Sequence, residues 1–196
     1  MKKTVDFYFD YGSPTSYLAD TQLPAICARH EAGLNYVPVL LGGIFQATGN
    51  RSPVTVPAKG AYMLADMQRF ADRYGVKFVM NPHFPINTLH LMRGAVAAQR
   101  LGCFGAYHTA VFHAMWAAGA NLGDTATVGA TLQRAGIDTA ALLPLLDDPG
   151  VKETLKDNTA RAIERGAFGA PTMFVGDSMF FGQDRLDFVA AALAGR

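Results

Sequence analysis

The chain of 196 residues is half hydrophobic and 17% charged, which supplies apolar material for one compact domain or for one domain carrying an insertion. Its 17 basic and 16 acidic residues leave a net charge of +1 with no lysine or arginine run, which argues against nucleic acid as the main partner. No apolar stretch is long enough and free enough of charge to span a bilayer, and Asp6 and Asp10 interrupt any leader-like run after Lys2 and Lys3, so the expected location is cytoplasmic.

Residues 4–9 are rich in aromatic and β-branched side chains and predict a buried strand. Asp10-Tyr11-Gly12-Ser13-Pro14 breaks it, and from Pro14 apolar residues recur on a helical period until about Gly33. Residues 34–41 predict a second strand, stopped by Gly42-Gly43. A strand, a helix and a strand in this order favour parallel pairing. After a loop over 48–57, helical patterns dominate at 60–74, 88–101, 104–118, 125–135, 139–146 and 150–166. Strands return at 172–175 and 179–181 around Gly176-Asp177-Ser178, a hairpin signal, and an amphipathic helix over 185–193 closes the chain. Strands at both ends with helices between them predict one α/β sheet interrupted by a helical insertion.

Two segments carry candidate chemistry. Ser13 suits a helix N-cap and Pro14 the first helical position, so a well-made helix start is one reading. The other is an anion site, because this start follows the first strand, at the sheet edge where α/β ligand sites gather. Asp10 beside it reads more naturally as the pin of the strand–helix turn than as a catalyst. In Gly169-Ala170-Pro171-Thr172, Pro171 opens a strand; it is either an edge or turn proline or one in a cis peptide. Cys27 and Cys103 are far apart and form neither a disulfide framework nor a metal quartet. The five histidines are scattered, and no metal site is expected. His83 is either a loop-structural residue or part of a pocket wall. Phe45, Met63, Met67, Phe70 and Trp116 have spacing that suits core packing, with an apolar acceptor pocket as the alternative.

Taken in order, several motifs resemble one family. They are 7–19, which contains Asp10-Tyr11-Gly12-Ser13-Pro14-Thr15-Ser16-Tyr17, then Leu41-Gly42-Gly43-Ile44-Phe45, Gly49-Asn50, Lys59-Gly60-Ala61-Tyr62-Met63, Phe84-Pro85-Ile86-Asn87-Thr88, Gly169-Ala170-Pro171-Thr172 and Phe181-Gly182-Gln183-Asp184-Arg185. The ordered set is similar to the DsbA-like branch of thioredoxin folds, and within it to kappa-class glutathione transferases and bacterial 2-hydroxychromene-2-carboxylate isomerases. The resemblance implies a thioredoxin-like α/β sheet of the DsbA and kappa type, built from 1–59 and 158–196, with an inserted helical domain over 60–157.

It also implies glutathione as cofactor, a small aromatic carboxylate as substrate, and a homodimer. Ser13 falls at the thiol-activating position and Ser16 where redox relatives carry a second cysteine, so disulfide exchange is excluded there. Asn50 and Lys59 would face the active site, Lys59 to pair with the substrate carboxylate and Asn50 to donate to a developing enolate oxygen. Ala170, before Pro171, would pair its backbone with the cysteinyl unit of glutathione. Gln183 and Asp184 would hold the γ-glutamyl end, although Gln183 replaces a small hydroxyl residue of the transferases. Glutathione-dependent isomerisation is the expected activity, with conjugation of hydrophobic electrophiles or a non-catalytic binding module as alternatives.

Overall fold

The first strand, β1 (Thr4–Phe9), has its alternate side chains on opposite faces of the sheet. Val5, Phe7 and Phe9 enter the main core, while Tyr8 faces a smaller cluster with Val39, Ile44, Ala162 and Phe174. The second half of β1, Phe7-Tyr8-Phe9, is covered on both faces and wholly aromatic, whereas Asp6 stays half-exposed and pairs with Arg165 at 2.8 Å. This architecture is seen in a computed structural model that describes residues 2–195.

β2 (Gly33–Pro38) pairs parallel with β1, as the strand–helix–strand order predicts. β3 (Thr172–Val175) lies antiparallel on the other side of β1, and β4 (Ser178–Phe181) closes the hairpin through Gly176 and Asp177. The sheet order is β2-β1-β3-β4. The C-terminal hairpin thus brings β3 to the centre of the sheet, next to its first strand.

The helices refine the sequence reading. The periodic run after Pro14 is two helices, α1 (Pro14–Asp20) and α2 (Leu23–Arg29), with Pro24 in the first turn of the second. The second strand stops at Pro38, and Leu41–Thr48 forms helix α3 where a strand end and a glycine break are expected. The reason lies outside the segment. The Leu41 N–H donates to Asp10 Oδ2 at 2.9 Å and the Leu40 N–H donates to Thr159 Oγ1 at 3.0 Å. Two distant side chains therefore satisfy backbone donors at a helix start that has no cap of its own.

Helix α4 (Pro57–Tyr74) begins the insertion, followed by α5 (Leu89–Arg100) and α6 (Phe104–Phe112). A π-helical turn, His113–Ala117, extends α6 and carries Trp116, whose Nε1–H donates to the Tyr11 carbonyl at 2.7 Å. Then come α7 (Thr125–Arg134), the short α8 (Thr139–Leu142), α9 (Pro149–Glu164) and, at the end, α10 (Leu186–Leu193). One core cluster joins Phe7 and Phe9 of the sheet to Met67, Met92, Met115 and Trp116 of the helices. The inserted helices share the core of the sheet, and α4 and α9 run unbroken across 59/60 and 157/158.

Candidate active site

The site is built where the start of α1 meets the segment before β3. Ser13 is buried and caps α1: its Oγ accepts from the Ser16 N–H at 3.1 Å. The same hydroxyl donates to the Ala170 carbonyl at 2.9 Å, and Thr15 Oγ1 lies 3.0 Å from it. Cap and candidate site are thus one atom. The Ala170–Pro171 peptide is cis, as is Phe84–Pro85.

Asp10 holds this corner in place. Its Oδ1 accepts from the Gly12 N–H at 2.8 Å and from the Thr88 hydroxyl at 2.7 Å, while Oδ2 takes the first N–H of α3. Burial pushes its carboxyl above the ordinary range, opposed by those three donors. Asp10 does not line the cavity beside Ser13, and its contacts are those of a turn pin.

Ser13, Thr15 and Ala170 open onto a cavity of about 690 Å³ between α3, α4 and the segment before β3. Phe45, Met63 and Met67 form part of its wall, with Phe84, Phe168 and Phe181. Of the five apolar residues singled out in the sequence, these three reach the cavity. Trp116 is fully buried in the core, and Phe70 faces a different cavity. Asn50 also lines the Ser13 cavity, and its Nδ2 donates to the Phe168 carbonyl at 2.8 Å, tying the loop after α3 to the segment before β3. Lys59 is exposed on the first turn of α4 and is not among the lining residues, whereas its neighbour Gly60 is. Arg51 is the cation that lines the wall. Nothing local in the sequence marks it beyond its place after Gly49-Asn50. His83 is exposed and stands apart.

Gln183 and Asp184 lie in a short 3₁₀ turn, Gln183–Arg185, which packs against α1. They line a second, smaller cavity of about 260 Å³ rather than the one beside Ser13. Arg29, Arg73, Tyr74 and Asp187 share it. The Tyr74 hydroxyl donates to the Gln183 carbonyl at 2.8 Å, and Asp184 Oδ2 pairs with the Arg185 guanidinium at 2.6 Å. Pro171 lines neither cavity. Among the described residues there is no group of three or more His, Cys, Asp or Glu placed to hold a metal ion, and no helix is long and apolar enough to cross a membrane.

A four-stranded mixed sheet with an interrupting helical layer defines a thioredoxin-like fold, and here Ser13 stands at the start of α1. The DSBA-like thioredoxin domain family matches residues 4–194. A 2-hydroxychromene-2-carboxylate isomerase of Sphingobium xenophagum is 34% identical over 195 residues, covering 98% of this chain and 99% of its own. The human protein named glutathione S-transferase kappa 1 is 28% identical, over 98% and 92%. A crystallised 2-hydroxychromene-2-carboxylate isomerase superposes with a TM-score of 0.87 at 31% identity, over 97% of this chain and 94% of that one. The chain belongs to the DsbA-like thioredoxin family, in the group of the 2-hydroxychromene-2-carboxylate isomerases and kappa-class glutathione transferases. Its relatives being isomerases and transferases, the coarse reading is an enzyme.

Proposed function

We propose that the protein is a glutathione-dependent isomerase that interconverts 2-hydroxychromene-2-carboxylate and trans-o-hydroxybenzylidenepyruvate. The observation that carries this reading is the Ser13 hydroxyl, buried at the wall of an apolar cavity large enough for a bicyclic ligand, with Arg51 on the same wall.

The residues present suit the peptide. Ala170 offers its backbone beside Ser13 for the cysteinyl unit. The second cavity holds Arg29 and Arg73 together with Asp184 and Asp187, a mixed lining that fits the carboxylate and ammonium of a γ-glutamyl end. Gln183 and Asp184 bind that end from the turn packed on α1. When bound, glutathione supplies a thiolate that adds reversibly to the conjugated side chain, so the former double bond can turn before the thiol leaves unchanged.

The chain's own residues do the rest. Ser13 donates its hydroxyl proton toward sulfur and favours the charged form. Asn50 has a second N–H on Nδ2 beyond the one given to Phe168, and it donates to oxygen charge that develops on the substrate. Phe45, Met63 and Met67 exclude water from the aromatic part. The substrate carboxylate meets Arg51 on the wall, with Lys59 contributing positive charge from the exposed first turn of α4. Replacing Arg51 by Gln is expected to raise KM for the carboxylate substrate about tenfold, the scale of one charge-assisted hydrogen bond. Lys59→Gln has the smaller effect, and the reverse order returns the carboxylate to Lys59. By the same resemblance the active form is a homodimer.

Incubation with chromene substrate and substoichiometric glutathione tests the function. Isomer is expected in many-fold excess over glutathione, with the free thiol recovered. A stoichiometric adduct without turnover makes the protein a kappa-like transferase. No glutathione binding at millimolar concentration removes both enzymatic readings and leaves a thioredoxin-like binding module.

A further inference from the structure

A serine hydroxyl has one proton and two lone pairs. At Ser13 all three are engaged. The proton goes to the Ala170 carbonyl at 2.9 Å, and a carbonyl can only accept. The Ser16 N–H takes one lone pair at 3.1 Å. The remaining contact is with Thr15 Oγ1 at 3.0 Å. Because Ser13 has already given its only proton, Thr15 must be the donor of that bond. Thr15 is half-buried and itself lines the cavity.

We propose that Thr15 is a positioning residue for the thiol site: its hydroxyl fills the last lone pair of Ser13, leaving Ser13 a donor only, whose proton turns from Ala170 to a bound thiolate. This inference rests on the reading of the cavity as a glutathione site. With Thr15 and Ser16 both donating to it, Ser13 Oγ is polarised and becomes the better donor. It has no lone pair left to accept a thiol proton, so a bound S–H finds no acceptor there while a bound S⁻ finds a proton. An N–H from the incoming peptide backbone takes the place of Ser13 on the Ala170 carbonyl, and the exchange leaves every group paired.

The logic is a chain from Thr15 O–H to Ser13 O–H to sulfur. Thr15 thereby influences the sulfur through Ser13, and removing it has a signature that a packing role lacks. Without the Thr15 hydroxyl, Ser13 keeps a free lone pair and can turn to accept from the neutral thiol. The protonated ligand gains an interaction that it lacks in the wild type, and the charged ligand loses part of one.

The test is ultraviolet titration of bound glutathione thiolate in the wild type and in Thr15→Val, Thr15→Ser, Ser13→Ala and the double Ser13→Ala/Thr15→Val. Thr15→Val is expected to raise the bound thiol pKa by about half a unit, a fraction of the Ser13 contribution set by cooperativity between linked hydrogen bonds. Thr15→Ser restores the wild-type value. Thr15→Ala, which removes the same hydroxyl with no new methyl group, gives the same shift as Thr15→Val and serves if that variant folds poorly. The double variant gives no more than Ser13→Ala alone, because a residue that acts through Ser13 has nothing to act on without it. An unchanged pKa in a Thr15→Val protein that binds glutathione overturns the proposal and leaves the glutathione site standing. Additive shifts in the double variant overturn it too, by making Thr15 a direct donor. A wild type that binds no glutathione brings down the site and this proposal together.

Discussion

Ser13→Ala is expected to raise the pKa of bound glutathione by about one to two units, since a hydrogen bond to a charged group is worth roughly 1.5–3 kcal/mol and a pKa unit about 1.36 kcal/mol. The pH–rate profile should move upward by the same amount. With the variant's bound thiol back at the free value of about 8.5, the thiolate fraction at neutral pH, and with it turnover, falls about eight- to twenty-fivefold. The affinity for glutathione changes less, because Ala170 and the cavity around Asp184 are untouched. Two structural costs accompany the substitution. Helix α1 loses its cap, for about 1 kcal/mol, and the Ala170 carbonyl loses its donor. Both appear in urea unfolding of the free protein, whereas the pKa of bound thiol is read from thiolate absorbance in the complex. The two effects separate cleanly. An unchanged pKa with undiminished turnover in folded Ser13→Ala would reduce Ser13 to a helix cap.

The parts of this site written in local chemistry were legible in the sequence. Ser13-Pro14 announces a helix start whatever its surroundings, and the hairpin around Gly176 and Asp177 follows from two short strands and a turn. Two features were not legible, for the same physical reason. Helix α3 begins without a cap of its own, and Gly42-Gly43 just after its start reads as a break. The acceptors for Leu40 and Leu41 come from Thr159 and Asp10, 119 and 31 residues away, so no window around the helix contains the reason it forms. The placement of α3 in turn decides the wall of the cavity. It brings Phe45 inward and carries the loop on which Arg51 rather than Lys59 lines the cavity. Likewise, Gln183 and Asp184 are expected at the start of the last helix and lie in the short turn just before it, but their cavity depends on Arg29 and Arg73 from two helices that only the fold brings together.

Asp10 is where these dependencies meet, and its removal is the severest change expected for stability. Its two oxygens serve the Gly12 N–H, the Thr88 hydroxyl and the Leu41 N–H, and so join the turn before α1 to the starts of α5 and α3. Asp10→Ala strands all three donors, each costing about 1–3 kcal/mol when buried. Gly12 and Leu41 keep some access to water, which puts the expected loss at about 4 kcal/mol, measured by urea unfolding near neutral pH. The pH dependence gives a second, sharper reading. Burial raises the Asp10 carboxyl above its ordinary value, so the folded protein holds that proton more tightly than the unfolded chain. Its contribution is therefore most favourable below the unfolded pKa of about 3.9 and declines as pH rises through the raised folded value. The stability difference between wild type and Asp10→Ala should shrink across that window and be flat above it, while titrations common to both proteins cancel. The α3 wall loosens with it, so glutathione-dependent kcat/KM falls even in the fraction that stays folded. A difference that grows with pH would mean that the three donors outweigh burial and hold the carboxyl ionised. A loss below about 1 kcal/mol would mean that water replaces Asp10 at all three donors, and the anchoring of α3 would then have to come from Thr159 alone.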